Sequence, residues 1–294
     1  MKFDKGIALV QVLIIMLSLT LFSIFLSKSV KQQLSIASSA KERLLLRLEL
    51  ENAEAYLFKS LLSNKLYINS KSDDDIAKVW NFYGRPFKIN DKVSVILQDQ
   101  AGLVNLNFTN SRLLKSTLLQ LGFEDKEATS FSESLEDWKD RDDLKRLNGA
   151  ERDYYKKVGQ PRNDMLQSVE EMRLVKEGGK LQNLDLEKIF STALVGVFNP
   201  LTAPNLVLRS YLNNESLVSK LEKLRVNGEL TPSGFYSVTG IADGEYITFA
   251  TSTFLTVELL AESNGIRLNK RFEVEVRPKA VDRPLTIKSV SWKK

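Results

Sequence analysis

The chain has 294 residues, 43% of them hydrophobic and 27% charged, a balance that suits folding around a core and argues against disorder. It contains neither cysteine nor histidine, which excludes thiol nucleophiles, imidazole bases, disulfides and the usual zinc or copper ligands. The net charge of +5 is dispersed among alternating acidic and basic residues, as between Lys139 and Arg152, so it describes a solvated surface and not a basic face for nucleic acid.

In chain order, Ile7 to Ser27 carries no charge. These roughly 21 residues are long enough to cross the hydrocarbon core as a helix. A secretory signal would be shorter and would end at a small-residue cleavage site, whereas this helical pattern runs on past Lys28. Lys2 and Lys5 precede the span and Lys28 and Lys31 follow it, so charge alone sets no orientation. Apolar residues then recur at Leu34, Ala37, Leu44, Leu45, Leu48, Ala53, Tyr56 and Leu57, which predicts an amphipathic continuation of the anchor. A membrane-proximal coiled coil has the same signature.

Val93, Val95 and Leu97 alternate with polar residues, and Leu103 to Phe108 follows the turn signal of Asp99 to Gly102, a pattern that predicts a hairpin. From Asn110 to Ala193 the period becomes helical, with Leu113, Leu114, Leu118 and Leu119, then Phe131 and Leu135, then Val169, Met172 and Leu174. Beyond Gly234 strands are predicted at Phe235 to Ile241, Tyr246 to Ala261, Ile266 to Val276 and Leu285 to Trp292, with Asn264-Gly265 as a hairpin turn. A lone early hairpin is marginal in water, so both sets of strands are expected to share one sheet.

Two sets of residues carry a family resemblance. The leader MKFDKG ends in Gly6 directly before the apolar run, and resembles a type IV prepilin leader. The run Asp137-Trp138-Lys139-Asp140-Arg141-Asp142-Asp143, then Leu147-Asn148-Gly149-Ala150-Glu151 with Tyr154-Tyr155, then Gln167 to Val175, is similar in order and spacing to the K-type minor pseudopilins of type II secretion systems. A later Asn-x-Asn-Thr-Ala element of that family appears as Asn199-Pro200-Leu201-Thr202-Ala203, with Leu201 in place of the second asparagine.

The resemblance implies an α+β fold, with a pilin-like long N-terminal helix and an antiparallel sheet interrupted by an inserted all-helical domain. The expected division is a leader at 1–6, a membrane helix at 7–27, helix and first sheet part at 28–108, the insert at 109–208 and the second sheet part at 209–294. It implies cleavage by prepilin peptidase between Gly6 and Ile7, methylation of the new N-terminus, and a single-pass inner-membrane protein whose C-terminal part is periplasmic. The implied function is a place in the tip complex that primes pseudopilus assembly for export across the outer membrane, with other minor pseudopilins and the major pseudopilin as partners. No enzymatic activity and no nucleic-acid partner are expected. A type IV pilus minor pilin and a bitopic envelope protein that never polymerises are the alternatives.

Gln11 lies where most pilin-like proteins carry a glutamate. A carboxylate in hydrocarbon costs about 2.5 to 3.5 kcal/mol unless paired, so a neutral amide suits a subunit with no neighbour above it. A merely tolerated polar residue is the plainer reading. Asp137, Asp140, Asp142 and Glu151 are the candidate metal ligands, hard oxygens of the type calcium prefers, and some relatives are calcium-bound. The competing reading makes Asp140, Asp142 and Asp143 solvated charges paired with Lys139, Arg141, Lys145 and Arg146. No cofactor is otherwise required. Carboxylates near Tyr154 leave glycosidase-like chemistry formally open, and paired helices expected around Gln167 to Leu208 resemble helix-hairpin-helix elements that touch DNA.

Overall fold

The structure, a computed structural model, describes residues 4–156 and 160–293; residues 1–3 of the leader lie outside it. Helix α1 (Asp4–Ser63) has 60 residues and so is about 90 Å long at 1.5 Å per residue. No proline or glycine interrupts it after Gly6. Its first part is long and apolar enough to cross a membrane.

Only the far end of α1 is covered. Leu46, Leu50, Ala53, Leu57 and Leu61, spaced three or four apart, form one stripe that is buried against the sheet. Of the residues expected to form that stripe, Ala53 and Leu57 do so. Leu34, Leu44, Leu45, Leu48 and Tyr56 instead face outward. The helix is apolar on more than one side, and periodicity does not say which side meets the sheet.

Five antiparallel strands form that sheet: β1 (Phe87–Lys88), β2 (Val93–Asp99), and further along the chain β5 (Phe254–Ser263), β6 (Ile266–Val276) and β7 (Leu285–Lys293), in the order β1-β2-β5-β6-β7. Period two puts Val93, Val95 and Leu97 on the same face as Leu255, Val257, Leu259 and Ala261, with Val95 opposite Leu259 and Leu97 opposite Val257. Leu268, Phe272, Val274 and Val276 extend that face, and Phe58 of α1 meets Phe272 edge-to-face at 5.6 Å. Glu54 and Lys270, both largely buried, form an ion pair that locks α1 onto β6. Glu54→Ala should strand the ammonium and cost about 3 kcal/mol in a urea melt. A loss below about 0.5 kcal/mol would show the pair to be dispensable.

The second core is helical. Between the sheet halves lie β3 (Val104–Asn105), α2 (Ser111–Gln120), α3 (Asp125–Lys139), β4 (Phe190–Ser191), α4 (Asn205–Leu212), α5 (Glu215–Val226) and α6 (Pro232–Thr239). Three single-turn helices, Val169–Arg173, Gly178–Leu181 and Leu186–Lys188, fill the middle. Val104, Leu114, Phe131, Met172, Leu208, Leu221 and Phe235 share one core, with Phe249 packed on it. The interruption therefore continues past the boundary expected at 208 and ends near residue 250.

Two expected strand features are corrected. Residues 93–99 and 103–108 do not form a hairpin. β2 pairs with β1 and β5, while β3 pairs in parallel with β4. The chain leaves the sheet because Asp99 accepts from the Ala101 N–H and starts a tight turn. Residues 235–241 are helical through Thr239, since Thr231 caps the Gly234 N–H at 3.1 Å, Pro232 opens the helix and Gly240 closes it at φ 70°. The paired helices expected around Gln167 to Leu208 are mostly single turns. In the glycine-lysine group there, Gly178 is buried against the Met172 carbonyl and Lys180 pairs with Glu127 at 2.6 Å.

The insert is sewn to the sheet without a flexible linker. Asp99, fully buried at the end of β2, accepts from Ala101 N–H, Asn199 Nδ2, Thr202 Oγ1 and both the N–H and Oγ of Ser252. Gln98 Nε2 donates to the Thr202 carbonyl at 3.0 Å, and Arg271 of β6 reaches Glu187 at 3.0 Å. Asn199 and Thr202 of the Asn-Pro-Leu-Thr-Ala element are thus the residues that close the junction. The Asn199 side-chain oxygen accepts from the Leu201 N–H at 3.1 Å, so the turn closes without a second asparagine. At Gly102 a Cβ would stand 2.5 Å from the Thr202 carbonyl group. Gly102→Ala should therefore cost about 3 kcal/mol by chemical denaturation, because backbone cannot step aside as a side chain does. An unchanged midpoint would contradict that packing.

Candidate cation site and assembly helix

Helix α3 delivers the first acidic groups. Its start is set by Glu127, which accepts from the Glu124 N–H at 2.8 Å, and its core face by Ala128, Phe131, Leu135 and Trp138. That registry buries Asp137 completely and places Asp140 at the helix end. The following loop returns so closely that a Cβ on Gly149 would fall 1.9 Å from Asp137 Oδ2; glycine is what lets the loop pass. Ala150 anchors the returning chain in the core and Glu151 follows it.

Among the described residues, Asp137, Asp140 and Glu151 form a group whose ligand oxygens all lie within 4.8 Å of one another. Arg146 partly neutralises it, with Nη1 at 2.5 Å from Asp137 Oδ1 and 2.6 Å from Asp140 Oδ2. Glu151 is 6% exposed, and among the described residues neither of its carboxylate oxygens has a hydrogen-bond partner. Burial first, then the Asp137, Asp140 and Asp143 charges, push its pKa up to about 7. An orphaned carboxylate oxygen on Asp140 points to the same deficit of positive charge.

Of the four acidic residues proposed from the sequence, three meet. Asp142 stays outside, exposed and accepting from the Leu144 N–H at 2.8 Å. The basic residues also sort themselves: Lys139 turns to the Leu106 carbonyl and Thr109, and Arg146 takes the acidic group. Nothing in the sequence pattern singles out Arg146 from Arg141 and Lys145.

The other recurring residues of this region support the site from behind. Trp138 packs edge-to-face on Tyr155 at 4.9 Å, and the Tyr155 hydroxyl accepts from the Lys176 N–H at 3.1 Å. Burial lifts the Tyr155 phenol to about 12, so it stays neutral. Glu171 accepts from the Gln167 N–H at 2.9 Å and from Arg162 Nε at 2.5 Å, tying the Gln167 to Val175 stretch beneath Trp138. These residues frame the loop.

At the opposite end, Gly6 and Ile7 lie in the opening turns of α1, with Ile7 exposed, and Gln11 lies one turn on with its side chain exposed. From Ile7 to Leu45 the large apolar side chains of α1 are uncovered.

Residues 98–187, which contain the whole acidic group, match the family model described as Type II secretion system (T2SS), protein K. No curated protein matches the chain. The fold is similar to a chain in the crystal structure of the GspK-GspI-GspJ complex from the enterotoxigenic Escherichia coli type 2 secretion system, with TM-score 0.57 and 16% identity, covering 88% of this chain and 99% of that one.

Proposed function

We propose that this chain, whose residues 98–187 match the protein K family model of the type II secretion system, is a minor pseudopilin of that system and caps the tip complex that primes pseudopilus growth. The observation that carries the reading is the bare apolar length of α1 beneath a sheet that covers only its last turns. Such a rod spans the inner membrane and then packs against like rods, so van der Waals contact between helices supplies the assembly energy. It acts by assembly and not by catalysis.

Partners similar to those named for the related complex, together with the major pseudopilin, would line the α1 faces that the sheet leaves open. Prepilin peptidase would cut between Gly6 and Ile7 and methylate Ile7. The globular part would then stand in the periplasm. Gln11 places a neutral amide where a carboxylate would need a neighbour's amine, which suits the end of a stack.

Replacing Gly6 by leucine should leave the leader attached, read as an intact mass and N-terminus for protein purified from membranes of a host that carries the peptidase, together with loss of co-purifying helix-tailed subunits. Normal trimming of that variant would sink the processing claim.

The acidic group fits calcium on this chain's own features: hard oxygen donors, a buried Glu151 without a hydrogen-bond partner among the described residues, and the close pass of the loop over Asp137 that Gly149 permits. Asp137, Asp140 and Glu151 would hold the ion, which would neutralise their gathered negative charge. Titration calorimetry of calcium into the full-length protein in detergent tests this. Heat and a raised melting temperature are expected, and their absence would end the metal reading.

A further inference from the structure

Arg146 stands where a cation would stand. Its Nη1 bridges Asp137 and Asp140 at 2.5 and 2.6 Å, yet it makes no hydrogen bond to Glu151, whose two oxygens have no partner among the described residues. One guanidinium thus faces three carboxylates. The ligand oxygens of all three lie within 4.8 Å of one another, a spread that a single divalent ion could serve together.

The arginine is also free to leave. Its side chain is 41% exposed, and its backbone N–H holds Asp137 Oδ2 independently at 3.2 Å. Asn148 pins the loop a second time, its N–H donating to Glu133 at 2.6 Å. The loop would therefore stay docked while the side chain swung into solvent.

We propose that Arg146 is a built-in competitor for the cation, bridging Asp137 and Asp140 in the metal-free protein and displaced to solvent when calcium enters, so that it sets the calcium concentration at which the site fills. The proposal rests on the calcium reading of the same site. It adds that the affinity is held down from within: ion entry must break a charge-assisted bridge to two carboxylates. The neighbouring Arg152, which approaches only Asp143 at 3.9 Å, has no such role.

The test is calorimetric titration of calcium chloride into chelator-stripped, full-length protein in detergent, comparing the natural chain with Arg146→Gln and Arg152→Gln. Arg146→Gln should bind about tenfold tighter, and Arg152→Gln should stay within about twofold. Without metal, Arg146→Gln should melt below the natural protein; saturated with calcium, the two should melt together. Equal affinities for the natural chain and Arg146→Gln, weaker binding by Arg146→Gln, or equal tightening in Arg152→Gln would overturn the competitor while leaving the metal site standing. No heat and no melting shift in any of the three would overturn the site itself and the competitor with it. If Arg146→Gln gives no cooperative melt, Arg146→Lys takes its place: a single ammonium cannot span both carboxylates as the guanidinium does, so intermediate tightening is expected and unchanged affinity overturns the proposal.

Discussion

Asp99→Ala is expected to destabilise the protein by about 4 kcal/mol, the largest loss of any single side chain outside the cores. The reason is the number of groups left behind. Donors from Ala101, Asn199, Thr202 and Ser252 converge on one fully buried carboxylate; alanine would leave the Ala101 and Ser252 N–H groups without an acceptor and the Asn199, Thr202 and Ser252 side chains only the Ala250, Asn199 and Phe254 carbonyls. These donors come from three stretches of chain, so the variant should also loosen the insert from the sheet. Urea unfolding followed by tryptophan fluorescence reads both effects, because Trp80 reports the sheet core and Trp138 the helical core. The natural protein should unfold in one transition and Asp99→Ala in two. A loss under about 1 kcal/mol, with one transition kept, would show that the junction does not depend on this carboxylate.

The second large effect is a dependence of stability on pH in metal-free protein. Glu151 titrates near 7 when folded and near its ordinary 4.5 when unfolded. Between those values the folded state holds a proton that the unfolded state has released, so stability is greatest at the acidic end and is lost as pH rises through 7. The shift amounts to about 2.5 kcal/mol of stability lost between roughly pH 5 and pH 8. Glu151→Gln should flatten that slope, since its neutral amide does not titrate. Saturating calcium should also remove it, because a ligand carboxylate must be deprotonated to bind. Chemical denaturation at four or five pH values, with chelator and with calcium, checks all three. A flat metal-free profile for the natural protein would mean that Glu151 is charged and solvated after all.

What could be read in advance was local. Asn264-Gly265 was legible as a hairpin turn because both residues must take positive φ, 49° and 79°, and few residue pairs do so readily. The flanking alternation then set Ile266–Val276 to the residue. The acidic run was visible as a set of hard ligands, but its membership was not. Asp142 is two residues from Asp140 and on composition its equal, yet the turn it caps points it outward, while Glu151 is carried in by the close pass of Gly149. The strand expected at 235–241 misread a short helix, since Thr231, Pro232 and Gly240 are stronger signals than an apolar alternation of seven residues.

The amino-acid order alone settled the uncharged run of Ile7 to Ser27, the absence of thiol and imidazole chemistry, and the motifs by which the middle of the chain is recognised. Each depends on covalent identity or on neighbours within about one helical turn, where periodicity, caps and turns act. Which face of α1 lies on the sheet, where the helical unit ends, and that Arg146 rather than Lys145 enters the acidic group were decided by the fold. Those outcomes turn on contacts between residues far apart in sequence, Asp99 with Ser252 and Glu54 with Lys270 among them. Their free energy exists only once distant segments have met and shed their water.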